Sequence, residues 1–475
     1  IILRTRLYMI KWGISAYNHN AAIAVVKDDQ ILFASESERY SGIKNDSNIP
    51  ENMIKEVLEY GEPDQIHWYE NQLLKNIRRL YAGQKWKKLD IHPWIKRKRI
   101  RYHGHHETHA RAGFYTSPFD SATVLVVDAI GEFNTTSIWH ATNKHLTKFW
   151  TENYPNSLGL FYSAITHRVG LKPNEEEYIL MGMAAYGDPY KYYSHMKPLL
   201  KQNLHRGCRN WLPGVQGQQD SFDIAASAQL IYTEEFEKLV SLASATSPNK
   251  NLVLMGGCAL NCVANYIALK YFDNVWIMPA PGDAGSSLGA ALDKKVEWKG
   301  PYLGHNIKGD YPVTDIIKEL KKDRLIGVAN GRAEFGPRAF GNRSLFADPR
   351  GLQVKDKVNE IKRRQKFRPF APVVMEEHAH ELFDMLVSSS PYMQYVIRCK
   401  EPTKYPAIVH KDGTSRVQTV NKKQHLGLYT LLSEWYKETG CPMLLNTSLN
   451  IKGKPMVNTM ADAKEFERTY NVRVA

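Results

Sequence analysis

His105 and His109 in the segment HHETHA stand four residues apart, so on a helix both imidazoles project from one face, the spacing that lets two rings bind one metal ion. Asp128 ends the apolar run ATVLVVD, and Asp283 lies in the turn Gly282-Asp283-Ala284-Gly285; both are well-typed additional oxygen ligands. Two histidines with one or two carboxylates suit Fe(II), Mn(II) or Zn(II) better than Ca(II). The residue types alone leave open a pair of surface histidines and two aspartates that merely cap turns.

A second group is cationic. In GRAEFGPRAFGNRSLFADPR (331–350) and NEIKRRQKFRPFAP (359–372), Arg338, Arg343, Lys362, Arg363, Arg364, Lys366 and Arg368 gather around glycine and proline turns among apolar segments with few acids. Recognition of a triphosphate calls for such a set. Arg416 in GTSRVQTV and the Asn446-Thr447-Ser448 turn in MLLNTSLNIKGKP follow apolar segments, a usual place for side chains that read an adenylate or a carbonyl. Turn formation explains the Asn and Ser equally well.

The elements that must hold these residues are partly legible. IKWGIS, AAIAVVK and QILFASE alternate with turn clusters from Ile10 to Phe33 and read as antiparallel hairpins. A unit of the same kind begins at Ala122 with ATVLVVD, TTSIWHA and LTKFW, so an internally duplicated fold is expected. Helices are expected over roughly 156–170, 175–186 and 223–246. NLVLMGGCALNCVANYIAL then runs as a buried strand through paired glycines into a helix, a turn that lets backbone N–H groups approach phosphate or ribose. The stretch 297–310 loses periodicity and turns to Gly, Pro and Tyr, the expected linker to a second domain that opens with VTDIIKELKK and RLIGVAN.

Composition bounds the rest. With 475 residues, 43% apolar and 24% charged, the chain is long enough for two or three globular domains. It has no run of about 18 apolar residues, so no transmembrane helix is expected. IILRTRLYMIKWGIS lacks a secretory pattern, and Met9 reads as a natural start. The five cysteines form no disulfide framework, and Cys258 with Cys262 has no second pair for a zinc ribbon, so a reducing, cytoplasmic setting is expected. The net charge of +14 is concentrated: eleven basic residues stand against the single acid Asp90 between Lys75 and Arg101. Tyr81, Trp86 and Trp94 are interleaved with them, which supplies stacking faces beside phosphate-neutralising cations and points to a polyanion; a solvated insertion is the alternative.

Together GISAYNHNAAIAVV, ASESERYSGIK, HHETHA, SLGLFYSAIT, EYILMGMAAYGDP, MGGCALNC, PAPGDAGSSLGAAL, GRAEFGPRAFGNRSLFADPR, FRPFAP and LLNTSLN resemble the NodU/CmcH family of O-carbamoyltransferases from about Met9 to the C-terminus. The resemblance implies an α/β protein: a duplicated actin/sugar-kinase-like (ASKHA) domain over 9–300, with the basic insertion 75–101, followed by a YrdC-like α/β domain over 301–475. It implies an enzyme that makes carbamoyl-adenylate from carbamoyl phosphate and ATP, with Mg²⁺ on the triphosphate, and passes the carbamoyl group to a hydroxyl. Arg338, Lys362, Arg368, Arg416, Asn446 and Ser448 match positions that hold carbamoyl phosphate and ATP. His105, His109, Asp128 and Asp283 match the metal site, Fe²⁺ or Mn²⁺/Zn²⁺, with Gly256, Gly257 and Asn261 near the nucleotide. His19 matches the base that takes the acceptor's proton, which an alcohol requires at neutral pH, and Lys44 a nearby polar position. Asn20, Asn45 and Ile179 depart from the family's usual Asp, His and Lys.

The basic run is not a motif of the small-molecule enzymes. With Lys85, Trp86, Lys87, Lys88, Trp94, Lys96, Arg97, Lys98, Arg99 and Arg101 directly before the histidine helix, the expected acceptor is a hydroxymethylated pyrimidine of the 5-hydroxymethylcytosine type in DNA, flipped out or single-stranded. A small alcohol, sugar or antibiotic hydroxyl, and a tRNA threonylcarbamoyl-type reaction, are the alternatives. Oligomeric state is not legible.

Overall fold

The computed structural model describes residues 8–475 except 206, 209, 210, 212 and 213. Strands β1 (Ile10–Ser15), β2 (Ala22–Lys27), β3 (Gln30–Glu36), β4 (Gln65–Trp68) and β5 (Ile100–Tyr102) form a sheet of order β3-β2-β1-β4-β5. Strands β6 (Ser121–Val127), β7 (Asn134–Thr142), β8 (Leu146–Asn153), β9 (Asn251–Met255) and β10 (Asn274–Trp276) form a second, of order β10-β9-β6-β7-β8. Each sheet is an antiparallel three-strand meander to which two later strands add in parallel, β4 and β5 beside β1, β9 and β10 beside β6. The expected duplication is therefore present strand for strand.

Helices His105–Thr116 and Asp283–Ala291 pack against one another and against the sheets. Their contact is close because it is built on glycine: a Cβ at Gly289 would lie 1.7 Å from Thr108 O. That approach carries the first turns of both helices, and so His105, His109 and Asp283, to one place. The expected helices appear as Leu158–Arg168, Glu177–Met183 and the long Gln218–Ala245.

The chain after β10 builds a mixed sheet, with β12 (Leu325–Ala329), β14 (Arg343–Ala347), β15 (Ala371–Met375), β16 (Gln418–Val420) and β17 (Met443–Ser448) in the order β12-β14-β17-β15-β16. Helices Val313–Asp323, Leu352–Ile361, Leu426–Thr439 and Met460–Tyr470 join it around a separate apolar core, as expected of an α/β domain. The stretch expected as a linker instead contains β11 (Tyr302–Ile307), paired with β13 (Gly331–Glu334). Arg332 at that ribbon donates to Leu32 O, so the junction is a packed seam and not a tether. Among the described residues no helix is long and apolar enough to cross a membrane.

Candidate active site at the domain junction

Glu132, in the β6–β7 turn, accepts the His105 N–H at 3.0 and 3.2 Å and so anchors the first turn of the histidine helix. One turn separates His105 from His109, and both are buried. Asp128 arrives at the end of β6, and Asp283 opens the helix that follows Gly282. His105 Nε2 lies 3.0 Å from Asp128 Oδ2 and 3.4 Å from Asp283 Oδ1; His109 Nε2 lies 3.7 and 3.4 Å from the same atoms and 3.2 Å from His105 Nε2. One ligand atom from each of the four lies within 4.8 Å of the others. Four ligands each about 2.1 Å from one ion stand roughly 3.0–3.5 Å apart, so the spacing fits a small divalent metal. Burial works to raise both aspartates, but the facing imidazoles outweigh it and hold Asp128 and Asp283 well below the ordinary carboxylate range. Both are thus ionised donors. His19, 42% exposed, stands at the rim with Nε2 3.6 Å from Asp283 Oδ2.

The second pocket is cationic. Arg338 donates to Leu260 O at 3.2 Å and Met393 O at 3.4 Å. Lys362 reaches Asn450 O, Asn450 Oδ1 and Ser448 Oγ at 3.0, 2.9 and 3.3 Å. Arg364 is fixed by Asn359 Oδ1 at 2.6 Å and lies over Phe370, while Arg368 lies over Tyr178, with 4.6 Å from guanidinium to ring centre. Arg338, Lys362, Arg364, Arg368 and Arg416 make no ion pair with a carboxylate among the described residues. They act on one another instead. Burial, then Arg416, pushes Arg338 down to about 9; burial, then Arg364 and Arg368, pushes Lys362 well down; burial, then Arg368 and Arg416, does the same to Arg364. Uncompensated charges this close are costly unless a polyanion joins them. Asn446 is buried, and its Nδ2 donates to Gln418 Oε1 at 2.6 Å and Ala339 O at 3.1 Å.

A single short turn touches both pockets. Gly256 has φ +92°, and a Cβ there would lie 2.1 Å from Val127 O, so only glycine lets the chain cross β6 at this point. Gly257 N–H then donates to Asp128 Oδ1 at 3.1 Å, and three residues on Leu260 O accepts from Arg338.

Two family models match the chain in order, the Carbamoyltransferase N-terminus over residues 68–292 and the Carbamoyltransferase C-terminus over 317–474. Nodulation protein NolNO of Sinorhizobium fredii is 30% identical over 94% of this chain and 76% of that protein. Nodulation protein NolO of Bradyrhizobium diazoefficiens is 32% identical over 76% of this chain and 75% of that protein. The chain belongs to the carbamoyltransferase family. The 3′-hydroxymethylcephem-O-carbamoyltransferase of Amycolatopsis lactamdurans is 28% identical over 94% of both chains, and the resemblance to the NodU/CmcH enzymes therefore stands. Among solved structures, full-length HypF in its phosphate- and nucleotide-bound form aligns with 60% of this chain and 55% of that chain at 13% identity and TM-score 0.34, too distant to argue from.

Several expectations for this carbamoyltransferase need correction. Arg343 is fully buried and donates to the carbonyls of Asn330, Gly331, His305 and Asn458, so it clamps backbone and leaves nothing for a phosphate. Arg363 and Lys366 are exposed, Arg363 over the Tyr470 ring. Asn261 exchanges both ends of its amide with Gln229, at 3.2 and 3.3 Å, and shapes the turn. The glycine turn enters two short 3-10 segments, Gly257–Leu260 and Asn265–Lys270, where an α-helix was expected. Lys44 is paired with Glu38 at 2.7 and 2.9 Å. Trp94 stacks on Trp12 at 4.9 Å between centroids, Lys87 donates to Tyr17 O, and Lys98 faces Glu62, so these three of the ten residues assigned to nucleic acid are engaged within the protein. Tyr178 and Glu132 were not singled out, and Arg364, named among the cations of its segment, was not among the residues matched to the substrate site. EYILMGM carried Tyr178, but its partner Arg368 is 190 residues away.

Proposed function

We propose that this carbamoyltransferase activates a carbamoyl group as its mixed anhydride with AMP in the Arg338–Lys362–Arg364–Arg368–Arg416 pocket and delivers it to an alcohol at the rim marked by His19. ATP, with its Mg²⁺, and carbamoyl phosphate are the substrates of the first step. Water cleaves carbamoyl phosphate to carbamate and inorganic phosphate; the five cations, short of carboxylate partners, neutralise the phosphates and hold the carbamate oxygen in line with the α-phosphorus of ATP, to which it bonds as pyrophosphate leaves. In the second step the acceptor oxygen bonds to the carbamoyl carbon, the bond from that carbon to the AMP oxygen breaks, and the acceptor's proton passes to His19. His105, His109, Asp128 and Asp283 would hold Fe(II), Mn(II) or Zn(II), which supplies Lewis acidity to an oxygen beside it.

The observation that carries this reading is the turn Gly257–Leu260, hydrogen-bonded to Asp128 at one end and to Arg338 at the other. The acceptor is a small-molecule hydroxyl, of the sugar or antibiotic kind. The named relatives favour it, since one is a hydroxymethylcephem carbamoyltransferase. A hydroxymethylated base in DNA has no comparable support, and Trp94, expected to stack on bases, is taken up by Trp12. Incubation with carbamoyl phosphate, ATP and Mg²⁺ and a panel of aminoglycoside, hydroxymethyl and nucleoside acceptors, followed by mass spectrometry, tests the class through one added carbamoyl group. His19→Ala should abolish transfer while pyrophosphate release continues. Loss of both together would contradict the two-pocket scheme.

A further inference from the structure

The helix Gln72–Tyr81 is inside out. Leu73, Leu74, Ile77, Leu80 and Tyr81 fall at i, i+1, i+4, i+7 and i+8, one apolar stripe that a helix normally turns to the core. Here the stripe faces solvent, with relative exposures from 44% for Leu74 to 70% for Tyr81, while Lys75, Asn76 and Arg78 are buried. The inversion is fixed by specific bonds. Lys75 pairs with Glu70 at 2.6 Å, Arg78 donates to Glu132 O, and Asn76 exchanges hydrogen bonds with the backbone of Lys87 at 3.0 and 3.1 Å. Rotating the stripe inward would break all of them and strand two buried cations.

We propose that this stripe is a docking surface for an anionic lipid bilayer. Trp86, 53% exposed, belongs to the segment 85–88 that Asn76 and Arg79 tie to the helix, and Lys85 and Lys88 beside it are exposed without an ion pair among the described residues. Leucine, tryptophan and lysine arranged in that way suit the boundary between acyl chains and acidic headgroups. The five side chains of the stripe present on the order of 500 Å², the size of the largest apolar patch on a typical monomer, which is often functional. A second copy is a poorer occupant. That area falls short of the roughly 800 Å² per partner of a stable complex, and a two-fold contact would bring two like-charged clusters of Arg79, Lys85 and Lys88 to one interface. Glu132 accepts the N–H of Asn71, which caps this helix, and of His105, the first residue of the histidine helix, and Lys87 holds the loop of His19 through Tyr17 O, so a docked chain presents the His19 rim near the membrane surface.

The test needs no turnover, so it stands or falls apart from the carbamoyl chemistry. The full chain is sedimented with sucrose-loaded vesicles of phosphatidylcholine alone and with one third phosphatidylglycerol. Binding to the acidic vesicles only is expected, weakening with added salt. Ile77→Gln/Leu80→Gln should reduce it about tenfold or more with an unchanged melting curve, since both side chains are already exposed. Lys85→Glu/Lys88→Glu should reduce it too. No partition at low salt, equal partition onto neutral vesicles, wild-type binding by the I77Q/L80Q protein, or a solution dimer that this variant dissociates would each overturn the proposal.

Discussion

Arg338→Met separates a cation kept for a ligand from one kept for the fold. At neutral pH the native chain holds Arg338 charged although burial and Arg416 have lowered it to about 9. A cation with a depressed native pKa costs stability whenever it is charged in both states, here at every pH below about 9. The distance from an ordinary arginine corresponds to at most about 5 kcal/mol at 1.36 kcal/mol per unit. Because the side chain keeps some access to solvent, screening reduces that to about 1–2 kcal/mol. Against the gain stand two long hydrogen bonds, to Leu260 O and Met393 O, each worth about 0.5–1 kcal/mol. The two nearly cancel, so the ligand-free variant should melt within about 3 °C of the parent. Its carbamoyl-phosphate-dependent exchange of pyrophosphate into ATP should fall about 10²- to 10³-fold, as for loss of one preorganised donor to a developing charge. Thermal unfolding beside the exchange assay reads both. A melting point lower by 8 °C or more, with exchange per folded molecule unchanged, would refute the reasoning and make Arg338 a backbone clamp like Arg343.

Chelation and dialysis should remove one divalent ion per chain, measured by elemental analysis, and His109→Ala or Asp128→Asn should weaken its rebinding by two orders of magnitude or more, because each deletes one of four converging donors. The stability of the C-terminal domain should depend on His425. Burial lowers it to about 4, its Nδ1 accepts the Leu428 N–H at the start of a helix, and its Nε2 lies 2.7 Å from Asn342 Oδ1. Above pH 6.5 it is neutral folded or unfolded and contributes no pH dependence; as the pH falls toward 4 only the unfolded chain takes the proton, so stability drops by about 3 kcal/mol. His425→Asn, which keeps a cap acceptor, should remove that share of the acid sensitivity in urea titrations at pH 7 and pH 4.5. Equal slopes for the two proteins would sink this account.

What the sequence disclosed follows the range of the interactions involved. The meanders β1–β3 and β6–β8 were legible because their turns lie within a few residues of the strands they join, as at Asp28-Asp29. The parallel additions of β4, β5, β9 and β10 are set by helices and loops tens of residues long, and neither Gln65–Trp68 nor Ile100–Tyr102 declares a partner. β11 escaped because YLGHNI pairs on one side only and has Gly and Asn where an apolar alternation would appear. Arg338 and Arg343 stand five apart in one turn-rich segment and cannot be told apart by type or spacing. Only the fold sends one to the pocket and the other into a cage of carbonyls. The basic run misled for a related reason. Counting charge presumes that cations face water, whereas Lys75 and Arg78 are buried against Glu70 and the backbone of Glu132, leaving leucines outside.

On the proposed scheme, the turn after β9 would let two chemistries share one reactive species. A carbamoyl anhydride of AMP is lost to water if it must diffuse, so the pocket that would make it and the pocket that would use it gain from a short connection. Gly257 and Leu260 are three residues apart in a 3-10 segment, whose rise of about 2 Å per residue separates their backbones by roughly 6 Å. A longer helix at that point would have driven the pockets apart. Gly256 makes the short one possible, because a side chain there would collide with Val127 O and push the turn off Asp128. Arg338 then reaches Leu260 from the other domain, so the link that joins the pockets also fixes how the domains meet. If activation and transfer occur in these two pockets, the glycine pair would act less as a phosphate cradle, which the sequence suggested, than as the spacer between them.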